Sequence, residues 1–198
     1  EALVAVKGLP SIFKQLKLTF WVDDSLLDVI EFNYGDSISE EDLPQIPAKE
    51  GHYARWEKFD LANLTFDREV KAEYFPYVNI LESKEKREGP LAVVLVEGNF
   101  VEEDFLTIAE NQGEGELSPE NEDFLEAWSV TIPDDGNPTH TIRFIPAERR
   151  RDLLIYVLEN GEWAKANVKW DGKYMVFKAG GNGVTFALVK DKPSYAVY

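Results

Sequence analysis

Apolar and polar residues alternate along most of the chain with the period of two that is typical of β-strands. In residues 18–22, alternate side chains are apolar and face one side. Residues 26–33 repeat the pattern after a turn composed of Asp23, Asp24 and Ser25. The two segments therefore predict a β-hairpin near the start of the chain.

A short acidic helix is predicted after this hairpin. Ser39 precedes three acidic residues, 40–42, and a serine hydroxyl accepts a hydrogen bond from the unpaired amides of a first helical turn. Pro44 and Pro47 follow and cannot continue a helix. Two further strands are predicted at residues 53–59 and 70–74.

The pattern changes after Phe75-Pro76-Tyr77, where we place a domain boundary. Beyond it, short apolar segments recur at roughly ten-residue spacing, which predicts an antiparallel β-sandwich. The clearest part predicts a three-strand meander over residues 153–178, with Asn160-Gly161 and Asp171-Gly172 as type I′ turns. Residues 111–121 are predicted to be a solvated loop. The strands predicted in this half are 78–81, 91–97, 105–109, 124–133, 140–145, 153–159, 162–170, 173–178 and 184–189.

Several spaced positions in the first third of the chain follow the pattern of one known family. They are Tyr34-Gly35-Asp36, Pro44, Pro47, Lys49-Glu50-Gly51, Trp56 and Leu64-Thr65-Phe66-Asp67. With the strands around them, they resemble the Listeria–Bacteroides repeat, also called the internalin B-repeat, of bacterial surface proteins. The resemblance implies a small β-grasp-like fold. The later residues are similar to a β-rich module that follows such repeats in surface proteins of gut Gram-positive bacteria.

We therefore expect a mainly β chain in which a small β-grasp-like repeat domain precedes an antiparallel β-sandwich domain. The predicted divisions are a leading strand or linker at 1–16, the repeat domain at 17–75, the sandwich at 76–190 and a C-terminal tail at 191–198.

Composition narrows the classes of partner. The formal net charge is −16, which opposes phosphate backbones and anionic lipid headgroups, so neither nucleic acid nor direct lipid binding is expected. Because the chain has no cysteine, disulfides and thiolate metal sites are excluded.

Candidate catalytic or metal-binding residues are few. The two histidines, His52 and His140, fall in different predicted domains, so neither has a nearby partner for a catalytic triad or a metal pair. Residues 134–137, just before His140, form a possible metal loop, but Asp134, Asp135 and Gly136 are also typical of a turn whose side chains cap its own backbone. We favour the turn, and expect no catalytic residue, no metal and no cofactor.

Aromatic residues are the candidate ligand-binding group. Trp163, Trp170 and Tyr174 lie on neighbouring predicted strands, and such rings stack on sugars. An odd sequence separation sends Trp163 and Trp170 to opposite faces of one sheet, so at most one of them faces outward. Trp21 and Trp56 are expected to pack within the small domain.

The function expected from the sequence is non-catalytic. The chain is interpreted as an extracellular segment of a bacterial cell-surface protein, anchored through segments outside this chain, which acts as an adhesion, display or spacer module. Its expected partners are host, matrix or cell-wall proteins or glycans, and it is expected to be a monomer. The alternatives are a carbohydrate-binding module that uses exposed Trp and Tyr and, third, a glycoside-active enzyme.

Overall fold

The structure is a computed structural model that describes residues 15–111 and 123–191. The predicted leading strand, most of the loop after Asn111 and the C-terminal tail lie outside these residues. The chain divides into two compact units between Pro76 and Tyr77. No α-helix occurs in the described ranges, which hold β-strands and one 3-10 helix, Glu40–Asp42, and no helix in them could span a membrane.

The first unit contains one four-stranded sheet with the order β2-β1-β4-β3. The two central strands are parallel, and each outer strand is antiparallel to its neighbour, so the unit is β-grasp-like. The predicted hairpin is confirmed as β1 and β2. The strands are β1 Leu16–Val22, β2 Ser25–Phe32, β3 His52–Trp56 and β4 Arg68–Pro76.

One face of this sheet is buried under the segments that connect its strands. Leu18, Phe20 and Val70 on the central strands have no exposed surface. The Phe20 ring meets Trp56 edge-on at 5.0 Å between centroids and Phe59 at 6.4 Å. The packing role predicted for Trp56 is confirmed.

The short acidic helix forms as predicted. The Ser39 hydroxyl accepts a hydrogen bond from the Glu41 amide at 3.4 Å, and Ser39 itself has extended backbone angles. Acidic side chains in the first turn favour the positive end of the helix. The helix ends before Leu43 and Pro44, where the chain becomes extended.

The second unit consists of two five-stranded antiparallel sheets. We call the sheet with the order β11-β10-β14-β8-β7 the front sheet, and the sheet with the order β12-β13-β9-β6-β5 the back sheet. The predicted fold class, mainly β with an antiparallel sandwich after a β-grasp-like unit, is confirmed. The strands are β5 Val78–Glu82, β6 Val94–Phe100, β7 Thr107–Asn111, β8 Asp123–Thr131, β9 Thr139–Phe144, β10 Leu153–Glu159, β11 Glu162–Lys165, β12 Lys169–Asp171, β13 Tyr174–Gly180 and β14 Gly183–Lys190.

The core of the second unit lies between these two sheets. Alternation along each strand directs one apolar row inward, as expected for packed antiparallel sheets. Phe186 of the front sheet meets Phe144 and Phe177 of the back sheet at 5.0 and 5.1 Å between ring centroids. All three rings are at most 2% exposed.

The predicted three-strand meander over residues 153–178 is wrong. β10 and β11 form a hairpin in the front sheet, whereas β12 and β13 form a hairpin in the back sheet. Residues 166–168 cross between the sheets, and Ala166 and Val168 pack against the core as they do so. Burial of these two apolar side chains stabilises the crossing, which alternation alone could not reveal.

The two turns of this region also differ from each other. Asn160 and Gly161 have φ values of 52° and 85°, so the predicted type I′ conformation of this turn is confirmed. In the other hairpin Asp171 pairs with Tyr174, and of the two residues between them only Gly172 has a positive φ, 58°. A positive φ at the first central residue is typical of a type II′ turn, so the type I′ prediction for Asp171-Gly172 is wrong.

Candidate binding surfaces

Trp163 lies on the outward face of the front sheet, opposite Leu158 of β10. It is half-buried and packs against a small apolar cluster built around Ala127, Ala187 and Val189. Those three residues have no exposed surface. The Trp163 ring therefore contributes to the packing of this face and is only partly available to a ligand.

Trp170 belongs to the back sheet, opposite the core residue Met175. It lies on the edge strand β12 and is 38% exposed. The Arg149 guanidinium lies 5.3 Å from the centre of its ring, and Arg149 also donates a hydrogen bond to the Gly172 carbonyl at 2.8 Å. One approach to the Trp170 ring is thus occupied by a cation.

Tyr174 lies on β13 and is half-buried. Its hydroxyl donates a hydrogen bond to the Ala92 carbonyl at 3.2 Å. Burial raises the pKa of the Tyr174 phenol above its ordinary value, and the nearby charge of Glu82 adds to the shift. This tyrosine is held in place by a backbone contact within its own unit.

The three candidate residues do not form one row. Trp163 is on the front sheet, whereas Trp170 and Tyr174 are on the back sheet. Trp170 shares a face of that sheet with its partner Met175, and Tyr174, the residue before Met175 on β13, lies on the opposite face. Trp163 and Trp170 were predicted to lie on opposite faces on the assumption that one continuous sheet contains both. The crossing at residues 166–168 removes that assumption.

The motif positions of the first unit are joined by internal hydrogen bonds on its two connecting segments. The Trp56 Nε1 donates to the Pro44 carbonyl at 3.1 Å, and the Tyr74 hydroxyl donates to the Pro47 carbonyl at 2.8 Å. The Lys49 ammonium lies 5.2 Å from the centre of the Tyr74 ring. The proline segment is thereby attached to β3 and β4.

The Tyr-Gly-Asp turn is attached in the same way to the segment before β4. The Gly35 amide donates to the Leu64 carbonyl at 2.7 Å, and the Leu64 amide donates to the Asp36 carbonyl at 2.8 Å. The Asp67 carboxylate accepts from the Lys17 amide at 2.9 Å. The motif positions thus maintain the fold of the unit.

The predicted capping turn before β9 is confirmed, and one of its carboxylates contacts a buried histidine. Asp134 accepts a hydrogen bond from the Gly136 amide at 3.0 Å, and Asp135 accepts one from the Asn137 amide at 2.9 Å. The His140 Nε2 lies 3.0 Å from the Asp135 carboxylate, and both side chains are fully buried. Within the described ranges no group of three His, Cys, Asp or Glu residues could hold a metal ion.

The Asp135 carboxylate is held in its charged form. Burial alone would raise its pKa, but hydrogen bonds from the amides of Asn99 and Asn137, and from the side chains of His140 and Asn137, outweigh burial and lower the pKa to about 2. The other ring nitrogen of His140 lies 3.2 Å from the Gly181 carbonyl. This network joins β6 and β9 to the turns that follow β8 and β13.

A buried ion pair lies between Arg87 and Glu126. The guanidinium makes hydrogen bonds of 3.1–3.2 Å to both carboxylate oxygens and one of 2.8 Å to the Ile145 carbonyl. Glu126 also accepts from the Trp128 indole at 3.1 Å and from the Ala147 amide at 3.0 Å. Every oxygen of the carboxylate is therefore used in internal contacts.

Glu126 was not among the candidate residues predicted from the sequence. The alternation along β8 could have predicted its burial, because Glu126 falls in the same alternate row as the inward residues Trp128 and Val130. An acidic residue at an inward strand position requires a charged partner.

A cavity of about 570 Å³ opens in the second unit where the chain leaves β11 for β12. Val157, Ala164 and Phe177 form an apolar wall, and Lys165, Lys169 and Lys178 also line the cavity. None of the three lysines forms an ion pair with another described residue. We call this feature the lysine cavity.

The neighbouring surface of the back sheet differs from the lysine cavity. Arg143 of β9 donates hydrogen bonds to Glu97 at 2.7 and 2.9 Å and also bonds Asp171. The hydrogen bonds to Glu97 and then to Asp171 raise the pKa of the guanidinium. The sequence contained no signal for the lysine cavity, because the crossing at residues 166–168 creates it.

Comparison of the chain with protein-family models, with curated protein sequences and with solved structures found no match.

Proposed function

We propose that the chain is a non-catalytic segment of a bacterial cell-surface protein, which displays or spaces a binding region outside the cell. Its first unit is, in this proposal, a Listeria–Bacteroides repeat. The observation that carries the proposal is the internal use of the motif positions. Hydrogen bonds of Pro44, Trp56 and Leu64 join separate segments of the small unit to each other. Conserving a fold is what the signature positions of a folding repeat are expected to do.

The use of the buried carboxylates supports a structural role. Glu126 and Asp135 are the described acidic side chains with the fullest sets of internal hydrogen bonds, and both join loops to strands. A general acid or base must reach a substrate proton. These two carboxylates instead accept hydrogen bonds from the protein's own amides and side chains.

The connection between the units supports a spacing role. β4 ends at Pro76 and β5 begins at Val78, so a single residue separates the two strands. Flexible tethers are longer and rich in glycine and serine. The described connection has neither property.

The proposal is tested on intact cells of the bacterium that produces the chain. Antibodies raised against the purified chain should label unlysed cells, and external protease should remove the label. An antibody against a cytosolic protein provides the control for lysis. Labelling that requires lysis would contradict the proposed location.

The spacer role is tested by deleting residues 15–191 from the parent protein. The remaining binding region should keep its affinity in solution but bind its target less well from the cell surface. A replacement by an unrelated β-sandwich of similar length should restore surface binding. Failure of that replacement would mean that the chain contributes specific contacts.

A further inference from the structure

We propose that the lysine cavity binds an acidic peptide segment, which pairs in extended conformation with the free edge of β13. This inference goes beyond the proposed function, because the site would exist wherever the chain is located. It follows from the charge around the cavity, the backbone of β13 and the division of the lining into two faces.

Charge selects an anionic ligand. Lys165, Lys169 and Lys178 line the cavity, and Glu159 is the only acidic residue among its described lining residues. The chain as a whole has a formal net charge of −16, whereas the described lining of this cavity carries three lysines and one glutamate. Carboxylates would supply the counter-charges that the described residues do not.

The backbone of β13 offers hydrogen bonds to an extended chain. β12 pairs only with residues 174–176, whereas β13 continues to Gly180. Residues that flank a two-residue hairpin turn exchange hydrogen bonds, and the bonding side then alternates along the strand. By this alternation, the amide and carbonyl of Lys178 point towards the side of β13 on which β12 pairs with residues 174–176, at a position beyond the end of β12.

The two faces of such an added strand would contact lysines on one side and apolar side chains on the other. Val176 lies opposite Lys169, and Lys178 follows two residues later, so both lysines lie on the outward side of the back sheet. Phe177 and Val157 lie on the core side and form the apolar wall. A peptide that alternates acidic and apolar residues would match both sides.

A peptide fits this lining better than an acidic sugar does. Sugar-binding surfaces present exposed Trp or Tyr faces. The only aromatic side chain among the described lining residues is Phe177, which is 2% exposed. The volume of about 570 Å³ is within the range of ordinary ligand pockets, roughly 300–1,000 Å³.

A simpler role for these lysines is protection of a sheet edge from aggregation. Lysines that serve only this role would bind no peptide, and their loss would promote self-association. The experiment therefore measures binding and oligomeric state together.

The test uses the full chain and a fluorescein-labelled peptide of four Glu-Val repeats, blocked at both ends. Fluorescence anisotropy should give saturable binding with a dissociation constant below about 1 mM. This binding should weaken as the salt concentration is raised. The triple variant K165Q/K169Q/K178Q should weaken binding about tenfold or more. A matched variant, K58Q/K71Q/K84Q, removes the same charge elsewhere and should bind like the native chain.

Two further measurements test the position of the peptide. Ala164→Trp fills the cavity without changing its charge and should also abolish binding, with an unchanged circular dichroism spectrum as the control for folding. Bound peptide should slow exchange of the Lys178 amide hydrogen about tenfold or more, because that amide becomes hydrogen-bonded.

Several outcomes would overturn the proposal. They are no saturable binding below about 1 mM, equal weakening by both triple variants, unchanged exchange at Lys178 in the complex, and tighter binding of polygalacturonate than of the peptide at the same cavity. Aggregation of K165Q/K169Q/K178Q without any peptide binding by the native chain would assign the lysines to edge protection. None of these results bears on labelling of intact cells, so each proposal can fail alone.

Discussion

The second unit contains two clusters of charge that differ in how they are satisfied. In the Arg87–Glu126 cluster, the carboxylate is 7% exposed and the guanidinium side chain 21% exposed, and the Glu126 carboxylate accepts bonds from a guanidinium, an indole and an amide. In the lysine cavity, Lys165, Lys169 and Lys178 are exposed and form no ion pair with a described residue.

The charges of the Arg87–Glu126 cluster stabilise the fold, whereas those of the lysine cavity are available for binding. A buried ion must be paired, because removal from water costs several kcal/mol. An exposed lysine remains hydrated and contributes little to stability. Substitutions in the two regions should therefore affect different measurements.

The largest effect is expected from Glu126→Ala. This change leaves Arg87, the Trp128 indole and the Ala147 amide without their acceptor, so we expect the free energy of unfolding to fall by about 3 kcal/mol. Urea unfolding monitored by tryptophan fluorescence provides the measurement. Lys86→Ala breaks the exposed Lys86–Glu82 pair and serves as the control, with an expected loss below about 1 kcal/mol. Similar losses for both variants would contradict the distinction.

Gly98→Ala should have the next largest effect. A Cβ at this position would lie 2.5 Å from the Asp135 carboxylate and 2.5 Å from the Phe100 ring. We expect a destabilisation of about 2 kcal/mol, because the buried network must shift to accept the methyl group. At Gly183 a Cβ meets nothing within 4 Å and φ is not positive, so Gly183→Ala should leave the unfolding midpoint nearly unchanged. Equal midpoints for the two variants would show that the network tolerates the methyl group.

Asp135→Asn should produce a pH-dependent loss of stability. Because the folded pKa of Asp135, about 2, lies below its ordinary value of 3.8, the charged form stabilises the fold above pH 4, and this contribution disappears as the pH falls through 2. We expect the variant to be about 2 kcal/mol less stable than the native chain at pH 5 and equally stable near pH 2. Unfolding at both pH values checks the sign. A difference that grows towards pH 2 would contradict it.

The smallest effect on stability is expected from K165Q/K169Q/K178Q. These lysines are exposed, so the free energy of unfolding should change by less than about 0.5 kcal/mol. The measurement is the same urea unfolding curve. A large loss would mean that the lysines stabilise the fold, and they would then belong with the Arg87–Glu126 cluster.

Much of the local structure was predictable from the sequence because it depends on neighbouring residues. Alternation located the first hairpin, Ser39 and the acids after it predicted the short helix, and Asn160-Gly161 predicted a type I′ turn. The capping turn at Asp134 and Asp135 was also predicted, since its side chains bond amides two residues away.

The candidate site was much less predictable, because it depends on which sheet each strand joins. Alternation assigns each side chain to a face within one sheet, but no pattern in residues 160–172 predicts that the chain changes sheets after Lys165. That crossing separated Trp163 from Trp170 and placed Lys165 near Lys169 and Lys178.

The sequence by itself determined that this protein is built from short strands, how several of its turns form, and that its formal net charge is −16. Only the tertiary structure decided which charges are buried in pairs and which remain available. The physical reason is that turn and strand preferences arise from residues close in the chain, whereas burial and pairing of a charge depend on segments that meet only after folding, such as Arg87 with Glu126.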